Sequence, residues 1–196
     1  RGVVTASTGN HGAAVSLGMK ILGINGSIIV PENIAPNKVE NIKNLGGNVE
    51  YHGNDCLEAE QRAQEISSGT GATYISPYND PVIVAGQGTM GVELDEDLSN
   101  IDTVIVAVGG GGLISGIGGY LKTVQPKVEM IGCSPKNSCV MYESLQAGII
   151  LDLPSKPTLS DGTAGGVEEN SIKFEICKKI IICCLQDAAR GLVLRV

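Results

Sequence analysis

The 196-residue sequence has no tryptophan, a single phenylalanine and only 3% aromatic residues. Its core therefore cannot rest on large aromatic side chains. It must come from Val, Ile, Leu, Ala and Gly, a composition that suits parallel strands covered by helices. Basic residues are the minority: 14 Lys and Arg against 21 Asp and Glu give a formal net charge of −7. That balance excludes a nucleic-acid backbone as the main partner, because such binding needs a basic surface. No block of like charge suggests a binding tail. The six cysteines (Cys56, Cys133, Cys139, Cys177, Cys183 and Cys184) contain no CxxC pair and no Cys/His grouping with zinc spacing. They read as buried or incidental thiols of a reducing compartment.

Long apolar runs are missing too. The late run at residues 180–185 is far too short to span a bilayer. The opening Arg1-Gly2-Val3-Val4-Thr5 is strand-like and carries no secretory signal. A cytoplasmic protein with no membrane contact is the expectation. The chain begins without Met, which reads as a piece of something longer.

What the sequence does contain is alternation. Strand-like runs at residues 3–5, 27–30, 48–51, 73–75, 103–108 and 128–133 alternate with helical stretches at 13–22, 37–45, 57–67, 113–123 and 139–147. Val39, Ile42 and Leu45 recur at helical spacing. Residues 82–94 read as mixed loop and helix. Such alternation predicts parallel sheets with crossover helices. The turn formers Ser76-Pro77-Tyr78-Asn79-Asp80-Pro81 mark a boundary between two blocks.

Two loops carry the chemistry. The run 103–108 is apolar on both faces, reads as a buried strand, and leads directly into Gly109-Gly110-Gly111-Gly112, with a helix following. A phosphate dianion is held well by several backbone N–H groups and a helix N-terminus. Glycines let the backbone approach closely and take positive φ angles. The order strand, glycines, helix places the site at the carboxyl end of a parallel strand, where open α/β sheets bind ligands. The segment lacks the Lys and Ser/Thr of a nucleotide P-loop. A loose GxGxxG match around Gly111, Gly116 and Gly119 has the wrong spacing. The bland alternative is a tight turn with no ligand.

The second loop is Ser7-Thr8-Gly9-Asn10-His11-Gly12, again between a strand and a helix. Its hydroxyls, its amide and the free N–H groups of a helix start suit a carboxylate. The alternative is a polar N-cap, with Thr8 or Asn10 capping the helix. His11 taken alone is more often a hydrogen-bonded structural residue than a catalyst.

Together these segments resemble the serine/threonine dehydratase (threonine ammonia-lyase) and serine racemase family of pyridoxal-phosphate (PLP) enzymes of fold type II, the tryptophan-synthase-β-like group. The resemblance rests on Val3 through Gly12, on Ala85-Gly86-Gln87-Gly88-Thr89, on Val106-Ala107-Val108-Gly109-Gly110-Gly111-Gly112-Leu113, and on Leu159-Ser160-Asp161-Gly162-Thr163-Ala164. It implies an α/β fold of two three-layer αβα domains with mainly parallel open sheets. Residues 1–75 would form a small mobile domain binding the substrate carboxylate, and 76–196 part of a large cofactor-binding domain. It also implies roles. Gly109, Gly110, Gly111, Gly112 and the amide of Leu113 would hold the cofactor phosphate, and Asn10 would contact its 3′-hydroxyl. Ser7, Thr8, Gly9 and His11 would bracket the substrate α-carboxylate, and Asp161 and Gly162 would line the wall. The implied reaction is PLP-dependent elimination from a β-hydroxy amino acid such as L-threonine or L-serine, giving a 2-oxo acid and ammonia. The implied partners are that amino acid and, in the full-length protein, a second copy of the chain.

The chain departs from the family in several places. The lysine that forms the family's Schiff base lies upstream of the Ser7 loop, outside this sequence, so the chain as given is expected to be inactive. The residues after Lys179 do not look like the family. The stretch Cys133-Ser134-Pro135-Lys136-Asn137-Ser138-Cys139-Val140 lacks the acidic ligands that racemase-like members use for a divalent cation, so no metal is expected. Thr8 stands where racemases carry a second acid/base Ser. A Thr hydroxyl can do similar work, and dehydration is favoured over racemisation. A noncatalytic or truncated homologue is a further alternative. A dinucleotide-binding oxidoreductase domain is a remote one, because Ile131-Gly132-Cys133-Ser134 offers no carboxylate for a ribose.

Overall fold

The computed structural model describes residues 2–156 and 158–187, and the chain divides into two compact units, Arg1–Pro77 and Tyr78–Val196. In the first, β1 (Val3–Ala6), α1 (Asn10–Leu22), β2 (Gly26–Val30), α2 (Pro36–Asn44), β3 (Val49–Tyr51), α3 (Cys56–Thr70) and β4 (Thr73–Tyr74) follow one another. The strands pair in the order β3-β2-β1-β4, all parallel. The period of two along a strand sends alternate residues to opposite faces. Ile28 and Val30 pack with Met19 of α1 and Ile42 of α2. Ile29, between them, packs on the other face with Val4, Ala6 and with Ala59 and Ala63 of α3. Both faces of this sheet are thus covered, and burying Ile28, Ile29 and Val30 contributes roughly 1.5–3 kcal/mol each.

The strand order has a consequence for function. The chain moves outward from β1 to β2 and β3, then returns to the other side of β1 for β4. The order therefore reverses at β1. The carboxyl ends of β1 and β4 flank that switch point, where parallel sheets leave a crevice for ligands.

The second unit contains α4 (Pro81–Asp97), β5 (Thr103–Ala107), α5 (Gly112–Val124), β6 (Glu129–Pro135), α6 (Val140–Ala147), a 3₁₀ turn (Asp161–Thr163), α7 (Ile172–Ile180) and β7 (Ile181–Asp187). Its strands are parallel, in the order β5-β6-β7. One core joins Val106 and Met130 of the sheet to Ile114, Ile117 and Leu121 of α5, Met141 of α6, and Phe174 and Cys177 of α7.

Three sequence expectations change here. Residues 82–94 are not mixed loop and helix but part of one 17-residue helix, α4. Pro81 opens it and the Asp80 carboxylate accepts from the N–H groups of Val82 and Ile83. Gly88 and Gly91 survive inside the helix because α4 packs closely on α5: a Cβ at Gly88 would stand 3.1 Å from the Gly116 carbonyl oxygen and one at Gly91 3.0 Å from that of Ile117. The second change concerns β5, which ends the sheet among the described residues and is buried on one face only. Val106 lies in the core, whereas Ile105 is 64% exposed. The third is an addition: Ile181–Asp187, for which no element was expected, form β7, pairing from Met130↔Ile181 to Pro135↔Asp187. No helix among the described residues is long and apolar enough to cross a membrane.

Candidate active site

The first loop leaves β1 at its carboxyl end and enters α1. The residue capping α1 is Gly9, and no side chain caps the helix. Neither Thr8 nor Asn10 takes the capping role considered above. Ser7 Oγ accepts from the Gly9 N–H at 3.2 Å, which folds the loop back on itself. Thr8 is half-buried and Asn10 exposed, and neither side chain has a hydrogen-bond partner among the described residues. The first N–H groups of a helix have no carbonyl of their own helix to bond. The loop therefore presents hydroxyl, amide and backbone donors together.

His11 is held from beneath by Thr5, which is fully buried. The Thr5 hydroxyl donates its single proton to the Ile75 carbonyl at 2.6 Å, so toward His11 Nε2, 3.0 Å away, it can only accept. Nε2 therefore carries the proton, and Nδ1 is left as the acceptor. Burial pushes the His11 pKa below the ordinary histidine value, while the Ile75 carbonyl works in the opposite direction. The link to Ile75 ties the first loop to the end of β4, across the switch point.

The second loop follows β5. The Val108 N–H donates to the Cys133 carbonyl at 2.8 Å, which extends the ladder to the edge of the tetraglycine. Gly111 caps α5 in the left-handed region, at φ +84°, and again no side chain caps the helix. The Gly111 carbonyl accepts from the Ser115 N–H at 3.0 Å and from the Cys177 thiol at 3.8 Å. Burial raises the Cys177 pKa, which keeps the thiol protonated as a donor. The Asp161–Thr163 turn closes on this loop: the Thr163 carbonyl oxygen lies 2.7 Å from where a Cβ on Gly109 would stand. Gly162 has open space around it.

Residues 1–188 match the family described as pyridoxal-phosphate dependent enzyme. The chain belongs to this family. It is 42% identical over 181 residues to the L-threonine ammonia-lyase of Thermotoga maritima, covering 92% of this chain and 45% of that protein. It is 40% identical over 162 residues to the serine racemase of Oryza sativa subsp. indica, covering 83% and 48%. The processed form of threonine deaminase isoform 2 from Solanum lycopersicum superposes with a TM-score of 0.88 at 35% identity, covering 95% of this chain and 54% of that one. The chain spans about half the length of the curated relatives it matches.

A phosphate cradle needs bare backbone N–H groups, and the four positions of the tetraglycine divide by what the fold itself requires of them. Gly109 and Gly111 are glycines for the fold's own reasons. A Cβ at Gly109 would collide with the Thr163 backbone, and one at Gly111 would sit 2.9 Å from both Cys177 Sγ and Met141 Cε at a positive φ. Gly110 and Gly112 are different. A Cβ there would meet only Lys173, at 3.6 Å and 4.0 Å, which is ordinary contact. Packing does not demand glycine at these two positions. A bare backbone facing an anion does, because the N–H groups must approach the phosphate oxygens. The residues present fit the group.

Thr5 and Lys173 were not singled out in the sequence. Thr5 is an unremarkable strand residue, and only the pairing of β1 with β4 brings it to Ile75. Lys173 is an isolated lysine in a helix, with no motif around it.

Proposed function

We propose that the natural protein catalyses PLP-dependent elimination from a β-hydroxy amino acid, L-threonine or L-serine, yielding a 2-oxo acid and ammonia. The observation that carries this reading is the pair Gly110 and Gly112, bare where the fold has room for a side chain, at the carboxyl end of a parallel strand. The likeness to threonine ammonia-lyases supports the reaction class.

In this reading the N–H groups from Gly109 to Leu113 hold the cofactor phosphate at the uncapped start of α5, and Asn10 bonds the cofactor's 3′-hydroxyl. Bound PLP supplies an electron sink that acidifies the amino acid's α-C–H. The chain's own residues position and stabilise. Ser7, Thr8, the Gly9 backbone and the α1 N-terminus take the α-carboxylate, and His11, fixed by Thr5, shapes the loop. Asp161 and Gly162 stand in the wall. Thr8 would move a proton at its hydroxyl. The first unit serves as the carboxylate-binding domain and the second as the cofactor-binding domain.

The test uses the natural full-length protein. Added PLP should give a bound-cofactor absorption band, and L-threonine or L-serine should release ammonia. Thr8→Ala should lower kcat/KM for the amino acid by about ten- to a hundredfold, the loss of one hydrogen bond to a charged group. It should leave the PLP affinity unchanged. Folded protein without the band would overturn the cofactor assignment. Conversion of L-serine to D-serine in place of ammonia release would replace elimination with racemisation.

A further inference from the structure

Lys173 heads the fully buried side chains among the described residues, with no exposed surface. Lysine is almost never buried this deeply unless it is paired. It sits in the first turn of α7, and its side chain runs along the tetraglycine. Its Cβ lies 3.6 Å from where a Cβ on Gly111 would stand, its Cδ 4.0 Å from that of Gly112, and its Nζ 3.6 Å from that of Gly110. Nζ donates to Glu168 Oε2 at 2.8 Å and stands 4.3 Å from the centre of the Tyr78 ring.

Glu168 and the ring hold the amine, but they do not account for its place. The Glu168 side chain is 36% exposed, so a pair made further out would have cost less desolvation. An ammonium has three N–H donors, of which one goes to Glu168. The Tyr78 ring attracts the charge through its face without accepting a conventional hydrogen bond. A buried cation is thus delivered to Gly110 and Gly112, the two positions of the tetraglycine that are bare beyond the needs of packing. The helix N-terminus contributes only about half a positive charge toward an anion, whereas a cofactor phosphate brings close to two negative ones. A full positive charge beside Gly110 offsets much of the remainder.

We propose that Lys173 is a positioning cation for the cofactor phosphate, held beside the glycine cradle by Glu168 and Tyr78. It binds the phosphate end of the cofactor and takes no part in the reaction at the amino acid. This rests on the reading of Gly109-Gly110-Gly111-Gly112 as the phosphate cradle. It also explains why Gly110 carries no side chain, since even a methyl group there would stand between amine and loop.

The experiment compares pyridoxal phosphate with pyridoxal, which lacks the phosphate, by equilibrium titration of the full-length protein and of Lys173→Met, Lys173→Arg and Glu168→Gln. Thermal unfolding of each variant confirms that it is folded. Lys173→Met should weaken PLP about ten- to a hundredfold and leave pyridoxal within about twofold, and Lys173→Arg should recover most of the loss. Glu168→Gln, at a half-exposed position, frees the amine from its competing carboxylate and should tighten PLP several-fold without changing pyridoxal. It decides the matter if Lys173→Met fails to fold. The phosphorus NMR shift of bound PLP should move in Lys173→Met and return in Lys173→Arg. An unchanged ratio of PLP to pyridoxal affinity in the folded Lys173 and Glu168 variants would assign Lys173 to a structural ion pair and overturn the inference alone. No PLP binding by the unsubstituted protein would remove the cradle reading and this inference with it.

Discussion

The loops after β1 and β5 share one plan and differ in what they present. Each leaves a parallel strand at its carboxyl end and enters a helix that no side chain caps. The first presents side chains: two hydroxyls, an amide and an imidazole on a short turn. The second presents backbone, with its side chains stripped to hydrogen and a lysine lying alongside. The difference follows the ligand each would hold. A carboxylate is planar and is sorted by a few directed donors, whereas a phosphate has several equivalent oxygens and is enclosed by many short N–H contacts. The two loops also differ in support. The first is anchored by one buried hydroxyl bridging two strands; the second is anchored by close packing at Gly109 and Gly111.

The largest effect that would break this comparison lies within the second loop. Gly111→Val puts a β-branched residue at φ +84° against Cys177 and Met141. It should cost about 2–5 kcal/mol, the sum of left-handed strain and overpacking, read from the urea unfolding midpoint. Gly110→Ala should cost under about 1 kcal/mol yet weaken PLP roughly tenfold. Equal stability losses at the two positions would reduce the loop to a tight turn.

Next comes Thr5→Val, which keeps the shape but strips the Ile75 carbonyl and the His11 Nε2–H of their partner. Two half-buried polar groups lose a bond, and the expected loss is about 1–2 kcal/mol by thermal unfolding. A neutral result would mean that the first loop does not depend on this bridge.

A smaller effect is expected from pH. The folded-state pKa of His11 is depressed below 6.5, so the unfolded chain binds the proton more readily. The imidazole is neutral in both states above about pH 6.5, and His11 then contributes no pH dependence. Its contribution to stability is lost as pH falls from about 6.5 through the lower folded value. Unfolding profiles of the parent and His11→Gln should converge above that range and separate below it, with the parent falling more steeply.

The smallest effect is Gly9→Ser. A hydroxyl at the helix start should add a few tenths of a kcal/mol by capping α1. It should also raise KM for the amino acid by competing for the same N–H groups. Gain in stability without any change in KM would separate the α1 N-terminus from carboxylate binding.

Much of this was readable along the chain. Strand-like runs of three to six residues between helical stretches announced parallel strands, and both loops were visible because glycine and small polar residues interrupt the pattern at strand ends. The reading failed where tertiary contact overrides local signal. Gly88 and Gly91 look like helix breakers, but glycines at a close helix–helix contact are tolerated for the room they leave. The strand 103–108 looks buried on both sides, but burial depends on which neighbours cover it. Ile105 is exposed because it points to the face opposite Val106, away from the core that α5, α6 and α7 build.

By itself the sequence determined the alternation of strands and helices, the place of the two candidate ligand loops at strand ends, and the resemblance to PLP-dependent lyases. Those features are local, set by side-chain periodicity and by glycine's lack of a Cβ. Only the tertiary structure decided which glycines serve packing and which lie bare, that Thr5 supports His11, and that Lys173 is buried beside Gly110. These facts depend on residues distant in sequence meeting in space. Thr5 and Ile75 meet because β4 returns beside β1, and Lys173 meets the tetraglycine because α7 packs against α5. No local pattern encodes either approach.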